Sequence, residues 1–235
     1  YFIIMRSLIF ICLIFFIGCS SNSKISVKDH SMHWHKNSAE FKALCLQAYN
    51  VATKNLDIEL SKKHDKPLAI IADIDETILN NTTYNEWLIK ENESFNQENW
   101  TKWVNKKTAT AIPGSLDFFK YADLKGIEII YLSNRKIENY EPTKTNLVEL
   151  GFPFDDSTIM LLREESRDKL ERRASIKDYK VIMLIGDNLG DFDSKFFGKT
   201  NKERWEVSKS LEENFGEKFI LIPNLIYGDW EKGFE

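Results

Sequence analysis

Asp73-Ile74-Asp75-Glu76-Thr77 follows the apolar run Leu68-Ala69-Ile70-Ile71-Ala72 and sets two carboxylates two residues apart. Side chains of an extended chain alternate with period 2, so both carboxylates are expected on one side. Crowding two anions is unfavourable unless a cation or a proton offsets them. Mg²⁺ would do so, as a hard ion that takes oxygen ligands and leaves room for a phosphate. A second acidic pair, Asp187 and Asp191, lies in Gly186-Asp187-Asn188-Leu189-Gly190-Asp191, where glycines permit close approach. Ser133-Asn134-Arg135 offers a hydroxyl, an amide and a guanidinium suited to phosphate oxygens, and Lys169 adds an ammonium. Alone, an Asp-x-Asp or a Ser-Asn-Arg is more often a turn or cap than a metal or phosphate site. Four such pieces in order, each beside an apolar run or on the helix between, point to phosphate chemistry.

Buried strands must carry these groups. Leu68–Ala72 has the continuous apolar character of a strand covered on both faces, and Ile127–Leu132, Val181–Ile185 and Lys218–Ile222 share it. From Ser38 to about Asp65, Phe41, Leu44, Ala48, Val51, Ala52 and Leu56 recur at helical spacing, until Lys66-Pro67 breaks the pattern. Further helical stretches fall at 115–125, 138–150, 166–178 and 201–214. Alternating strands and helices predict an α/β fold: a Rossmann-like parallel sheet with right-handed crossovers and helices on both faces. Ligands of such sheets bind outside the carboxyl ends of the strands, where the acids and Ser133 stand. Residues 80–113, rich in Asn, Thr and Trp, interrupt the rhythm as a small cap inserted after the first strand. Trp87 and Trp103 read as the core of that cap.

The 235 residues are 43% hydrophobic and 13% aromatic, enough for one cored domain with a small subdomain and too apolar for bulk disorder. A net charge of −4 gives no reason to expect a nucleic-acid polymer as partner. Three cysteines cannot build a disulfide framework, and Cys45 is expected in the core. Met5-Arg6-Ser7, the ten apolar residues Leu8 to Ile17, then Gly18-Cys19 describe a signal peptide over 1–18. Ten helical residues cover only about half of a ~30 Å hydrocarbon core, so a permanent span is not expected. The four residues before Met5 read as upstream translation or a misplaced start. Residues 19–37 read as a tether, with His30, His33 and His35 a solvated polar segment rather than a metal or haem site, and 38–235 as the folded domain. The run Arg163 to Arg173 is interleaved with acids and reads as a solvated helix face, Lys169 excepted.

The order of these motifs resembles the haloacid dehalogenase (HAD) superfamily, and in detail its class C acid phosphatases, the bacterial lipoprotein acid phosphatases and 5′-nucleotidases. Ile71 to Tyr84 and Ile182 to Phe192 carry the resemblance, with Trp100-Thr101-Lys102-Trp103, Leu161-Leu162-Arg163 and the Phe219–Trp230 tail. Ile78 and Leu225 depart from the family's usual residues. The resemblance implies that Asp73 is the nucleophile and that Asp75 protonates the leaving oxygen, then deprotonates water. It implies Mg²⁺ held by Asp73, the Asp75 backbone carbonyl and Asp187. Ser133 and Lys169 would hold phosphoryl oxygens, and Asp191 would orient Lys169 or a metal-bound water. Trp100 and Tyr227 match aromatic positions near the substrate, where a nucleobase or nicotinamide ring could stack. Gly18-Cys19 resembles a bacterial lipobox, with Phe16 where Leu is usual, implying a lipid on Cys19. The expected protein is therefore a Mg²⁺-dependent phosphomonoesterase of the cell envelope, lipid-anchored and facing outside the cytoplasm. Ser20 points to the outer membrane where the cell has one. Nucleoside 5′-monophosphates and nicotinamide mononucleotide are the expected substrates. Other small esters, phosphotyrosine, and a non-catalytic surface-binding lipoprotein are the alternatives weighed. A second copy of the chain, in a homodimer, is the remaining partner considered.

Overall fold

The computed structural model describes residues 27–233. The chain opens with α1 (Val27–Asn37) and α2 (Ala39–Leu60), then enters β1 (Leu68–Ala72). The cap follows as β2 (Leu79–Asn80), α3 (Thr82–Lys90), α4 (Gln97–Val104) and β3 (Thr110–Ala111). Next come α5 (Ser115–Leu124), β4 (Glu128–Lys136), α6 (Tyr140–Leu150), β5 (Met160–Arg163) and α7 (Leu170–Ala174). The last elements are β6 (Lys180–Gly186), α8 (Asn201–Ser210) and β7 (Phe219–Leu221). Five parallel strands form one sheet in the order β5-β4-β1-β6-β7, while β2 and β3 pair as a separate antiparallel ribbon.

The unbroken apolar run of β1 is explained by its central place. Ile70 and Ala72 pack into a core shared with Phe41, Cys45, Tyr49 and Leu56 of α2. The alternate residues, Ala69 and Ile71, face a second cluster with Leu132, Phe192 and Phe219. Ser38 caps α2, its hydroxyl accepting the Phe41 N–H at 3.0 Å, and Cys45 is buried as expected. Among the described residues no helix is long and apolar enough to cross a membrane.

Several boundaries differ from the sequence reading. The helix expected to reach Asp65 ends at Leu60, where the Ser61 hydroxyl donates to the Ile58 carbonyl at 2.7 Å. β4 runs on through Ser133-Asn134-Arg135, which therefore lies within the strand's last turn rather than beyond it; Lys136 still pairs with Arg163. β5 is a short edge strand that four residues of alternating burial did not announce. The helix expected over 166–178 shrinks to α7. Ser166 and Asp168 side chains accept backbone N–H groups two residues on, at 3.1 and 3.0 Å, and so hold turns in its place.

The largest correction concerns the tether. Residues 27–37, expected as a solvated linker, form α1, which packs on α3 of the cap. Met32 and His35 are buried, and the His35 ring lies 3.9 Å from that of Phe41. Helical spacing of Met32 and His35, three residues apart, is the cause. His30 and His33 remain exposed. The signal peptide and Cys19 lie outside the described residues.

Candidate active site

The sheet order reverses between β1 and β6, since β4 and β5 lie to one side of β1 and β6 and β7 to the other. Such a switch point leaves a crevice at the strand ends. Asp73 stands there at the end of β1, its N–H donating to the Ile185 carbonyl at 2.9 Å. Asp187 directly follows β6. Asp191 sits in the next 3-10 turn, where its Oδ2 accepts the Asn188 N–H at 2.9 Å. A Cβ on Gly186 would overlap the Asp191 side chain, so glycine is needed for the two acids to meet.

Lys169, at the N-cap of α7, reaches into this group with its side chain 2% exposed. Its ammonium donates to Asp73 Oδ1, to the Leu132 carbonyl at 2.6 Å, and to Asp191 Oδ1 at 2.8 Å. Burial would lower the lysine pKa, but Asp191 and Asp73 outweigh it and the pKa is raised. Carboxylate oxygens of Asp73, Asp187 and Asp191 lie within 4.8 Å of one another. One ammonium cannot offset three such acids. Accordingly burial, reinforced by Asp191 and Asp187, holds the Asp73 carboxyl well above its usual range despite Lys169. Burial and Asp191 do the same to Asp187, although Asn224 Nδ2 donates to its Oδ2 at 2.8 Å and Thr77 Oγ1 to its Oδ1 at 3.2 Å. This donor set, all oxygen and short of positive charge, fits a hard divalent cation.

Asp75 departs from the group. The extended chain ends at Ala72, Glu76 takes a left-handed φ of 54°, and the Ile78 and Leu79 N–H groups bond back to the Ile74 carbonyl. The Asp75 carboxylate stands outside the cluster of three, yet close enough for its charge to help raise the Asp73 pKa. Arg135 binds it, Nη2 donating to Oδ1 at 2.8 Å and Nε to Oδ1 and Oδ2 at 3.1 and 3.2 Å. Arg135, expected among the phosphate-binding groups, thus directs its guanidinium to Asp75 and, through Nη1, to Thr143. Ser133 is buried and its hydroxyl accepts the Arg135 N–H at 3.1 Å. Asn134 turns to Arg172, which donates to its Oδ1 at 2.7 Å. Trp100 is only 8% exposed, and the Tyr227 hydroxyl bonds the Glu76 carboxyl.

Glu76, Asn81 and Asn224 are site residues that sequence reasoning missed. Glu76 is buried, and burial with the neighbouring Asp75 pushes its carboxyl up to about 8. Asn81 donates to Asp75 and Glu76 at once. The signal for Asn224 was its place just past β7, the same position relative to a strand that singled out the acids.

The family described as HAD superfamily, subfamily IIIB (acid phosphatase), matches residues 20–230. A class C acid phosphatase from Bacillus anthracis, solved with tungstate bound, is 37% identical and superposes with a TM-score of 0.83, covering 87% of this chain and 86% of that one. A second structure of that phosphatase is 38% identical with the same TM-score. The stem 28 kDa and stem 31 kDa glycoproteins of Glycine max are each 28% identical over 172 residues, or 68% of this chain. The chain spans 63% and 55% of the lengths of these two relatives.

Proposed function

Because the chain belongs to the acid phosphatases of HAD subfamily IIIB, we propose that it hydrolyses phosphate monoesters through an aspartyl-phosphate on Asp73. The observation that carries this reading is the buried Lys169 ammonium shared by Asp73 and Asp191 beside Asp187 at the switch point. Lys169 occupies Asp73 Oδ1, and Oδ2 has no hydrogen-bond donor among the described residues. That oxygen attacks phosphorus as the ester oxygen leaves, splitting one hard step into two. Asp75 gives its proton to the leaving oxygen, then takes one from the water that attacks the aspartyl-phosphate, releasing phosphate and Asp73. Lys169 and Ser133 hold the phosphoryl oxygens, and Asp191 aims Lys169. Mg²⁺, held by Asp73, Asp187 and the Asp75 backbone carbonyl, would screen the approach of carboxylate to phosphate. Tungstate is a tetrahedral oxyanion like phosphate, and its binding by the Bacillus anthracis relative supports a phosphate-sized site here.

Nucleoside 5′-monophosphates and nicotinamide mononucleotide are the proposed substrates, on the match of Trp100 and Tyr227 to the family's aromatic positions; Phe95, 62% exposed with its ring 6.2 Å from Trp100, adds an exposed aromatic beside the first of these. The test is a panel of these nucleotides with sugar phosphates and p-nitrophenyl phosphate. Asp73→Asn should lose about 10³-fold or more in kcat on all of them, and chelator should abolish wild-type activity until Mg²⁺ is restored. Full activity in Asp73→Asn, or indifference to chelator, overturns the reading. Gly18-Cys19 supports a lipid anchor in the cell envelope; it is overturned if Cys19→Ala takes up as much labelled fatty acid as the wild type.

A further inference from the structure

The Asp75 carboxylate is held by more donors than an acid–base group needs for its own burial. Its Oδ1 accepts from Arg135 Nη2 at 2.8 Å, Arg135 Nε at 3.1 Å and Asn81 Nδ2 at 2.9 Å. Among the described residues its Oδ2 accepts only the longer half of the Arg135 Nε bond, at 3.2 Å. Both donors are themselves braced by α4. The Trp103 indole N–H, which can only donate, bonds Asn81 Oδ1 at 3.0 Å and so obliges the amide NH₂ to face Asp75. The Trp100 ring lies 5.5 Å from the Arg135 guanidinium carbon, within cation–π range. Thr143 fixes the far side of that guanidinium, its Oγ1 accepting Nη1 at 2.9 Å. Trp100 and Trp103, three residues apart, share one face of α4.

We infer that Arg135 and Asn81 are positioning residues that saturate Asp75 Oδ1 and leave Oδ2 to carry the transferable proton, with the two tryptophans of α4 holding them in place. This rests on the acid–base role proposed for Asp75. The Oδ2–H bond breaks as its proton joins the ester oxygen leaving phosphorus, and Oδ2 regains a proton from the water whose oxygen bonds phosphorus as the aspartyl-phosphate bond breaks. A rotated carboxylate would present the wrong oxygen, and lysine, a point charge without the guanidinium fork, could not prevent rotation. On this account Trp100 and Trp103 serve proton transfer through their neighbours, beyond forming a cap core.

The readout is leaving-group dependence of kcat/KM, which covers steps only up to loss of the leaving group. Nitrophenolate departs without a proton, whereas the alkoxide of glycerol 2-phosphate needs one. Arg135→Lys should lower kcat/KM on glycerol 2-phosphate by about 10²-fold, the range of general acid catalysis, and on p-nitrophenyl phosphate by less than about fivefold. Inhibition by inorganic phosphate should stay within about twofold of wild type, because the site's phosphoryl ligands are untouched. Trp103→Phe keeps a buried aromatic ring while removing the indole N–H together with its five-membered ring, and should show the same selectivity at smaller size; it serves if Arg135→Lys fails to fold. Equal losses on the two esters, or weakened phosphate inhibition, overturn the positioning roles and make Arg135 a phosphate ligand. A wild type inactive on both esters overturns the reading of the site itself.

Discussion

At the scale of single residues, the site depends on an absent atom as much as on its charges. Gly186 ends β6 with no side chain, and Asp191 fills the space where a Cβ would stand. Asp191 in turn fixes Lys169 at 2.8 Å, and Lys169 fixes Asp73. Gly186→Ala should therefore displace Asp191, loosen the Lys169 ammonium and misplace Asp73, the proposed nucleophile, without removing any of the proposed reacting groups. A misplacement of about 1 Å costs on the order of 10²-fold in rate. We expect kcat to fall by about 10- to 100-fold with the circular dichroism of the fold retained; wild-type kcat in this variant would show that Asp191 does not set the geometry. Asp73, Asp187, Asp191 and Lys169 were legible from the sequence because few residue types can supply their charge beside a buried strand. The partners of Asp75 were not, since Arg135 reaches it from another strand and Asn81 from the cap, and no local pattern pairs them.

At the scale of elements, the continuous apolar strands were readable because burial on both faces leaves no polar position. β5 was missed because it is an edge strand, and α7 was overestimated because Ser166 and Asp168 bond the backbone themselves. α1 was hidden in a stretch that carries three histidines, two of them exposed. Its buried member makes a prediction. Burial lowers the His35 pKa to about 4, so between that value and the ordinary 6.5 the unfolded chain binds a proton that the folded chain refuses. The stability that neutral His35 permits is complete above about pH 6.5 and is lost as pH falls toward 4. The shift corresponds to roughly 3 kcal/mol at its full extent. Measured by urea unfolding, the stability of the wild type relative to His35→Leu should fall as pH drops over that window, because the substitution removes this contribution and leaves the buried carboxyls the same in both proteins. A difference that stays constant with pH would mean that α1 does not hold His35 against the core in solution.

At the scale of the whole molecule, pH acts on the fold and on the proposed metal site in one linkage. In chelator-treated protein Asp73 and Asp187 keep protons above their usual range because they are buried among one another, and Glu76 keeps its proton up to about 8. The unfolded chain has released these protons by about pH 5. The folded state thus binds more protons through the neutral range, and its stability declines as pH rises toward the folded values. A divalent cation binds only the ionised carboxylates, so it competes with protons and gains as pH rises. Free Mg²⁺ in excess should raise Tm of the chelator-treated protein more at pH 7.5 than at pH 5, since ligand binding to the folded state alone adds stability in proportion to its affinity there. Asp187→Asn should shrink the gain at pH 7.5, because it removes a ligand and one of the competing charges together. An equal Tm gain at both pH values would mean that the cation binds away from the protonated acids, and with it the account of Asp73, Asp187 and Asp191 as one electrostatic unit would fail.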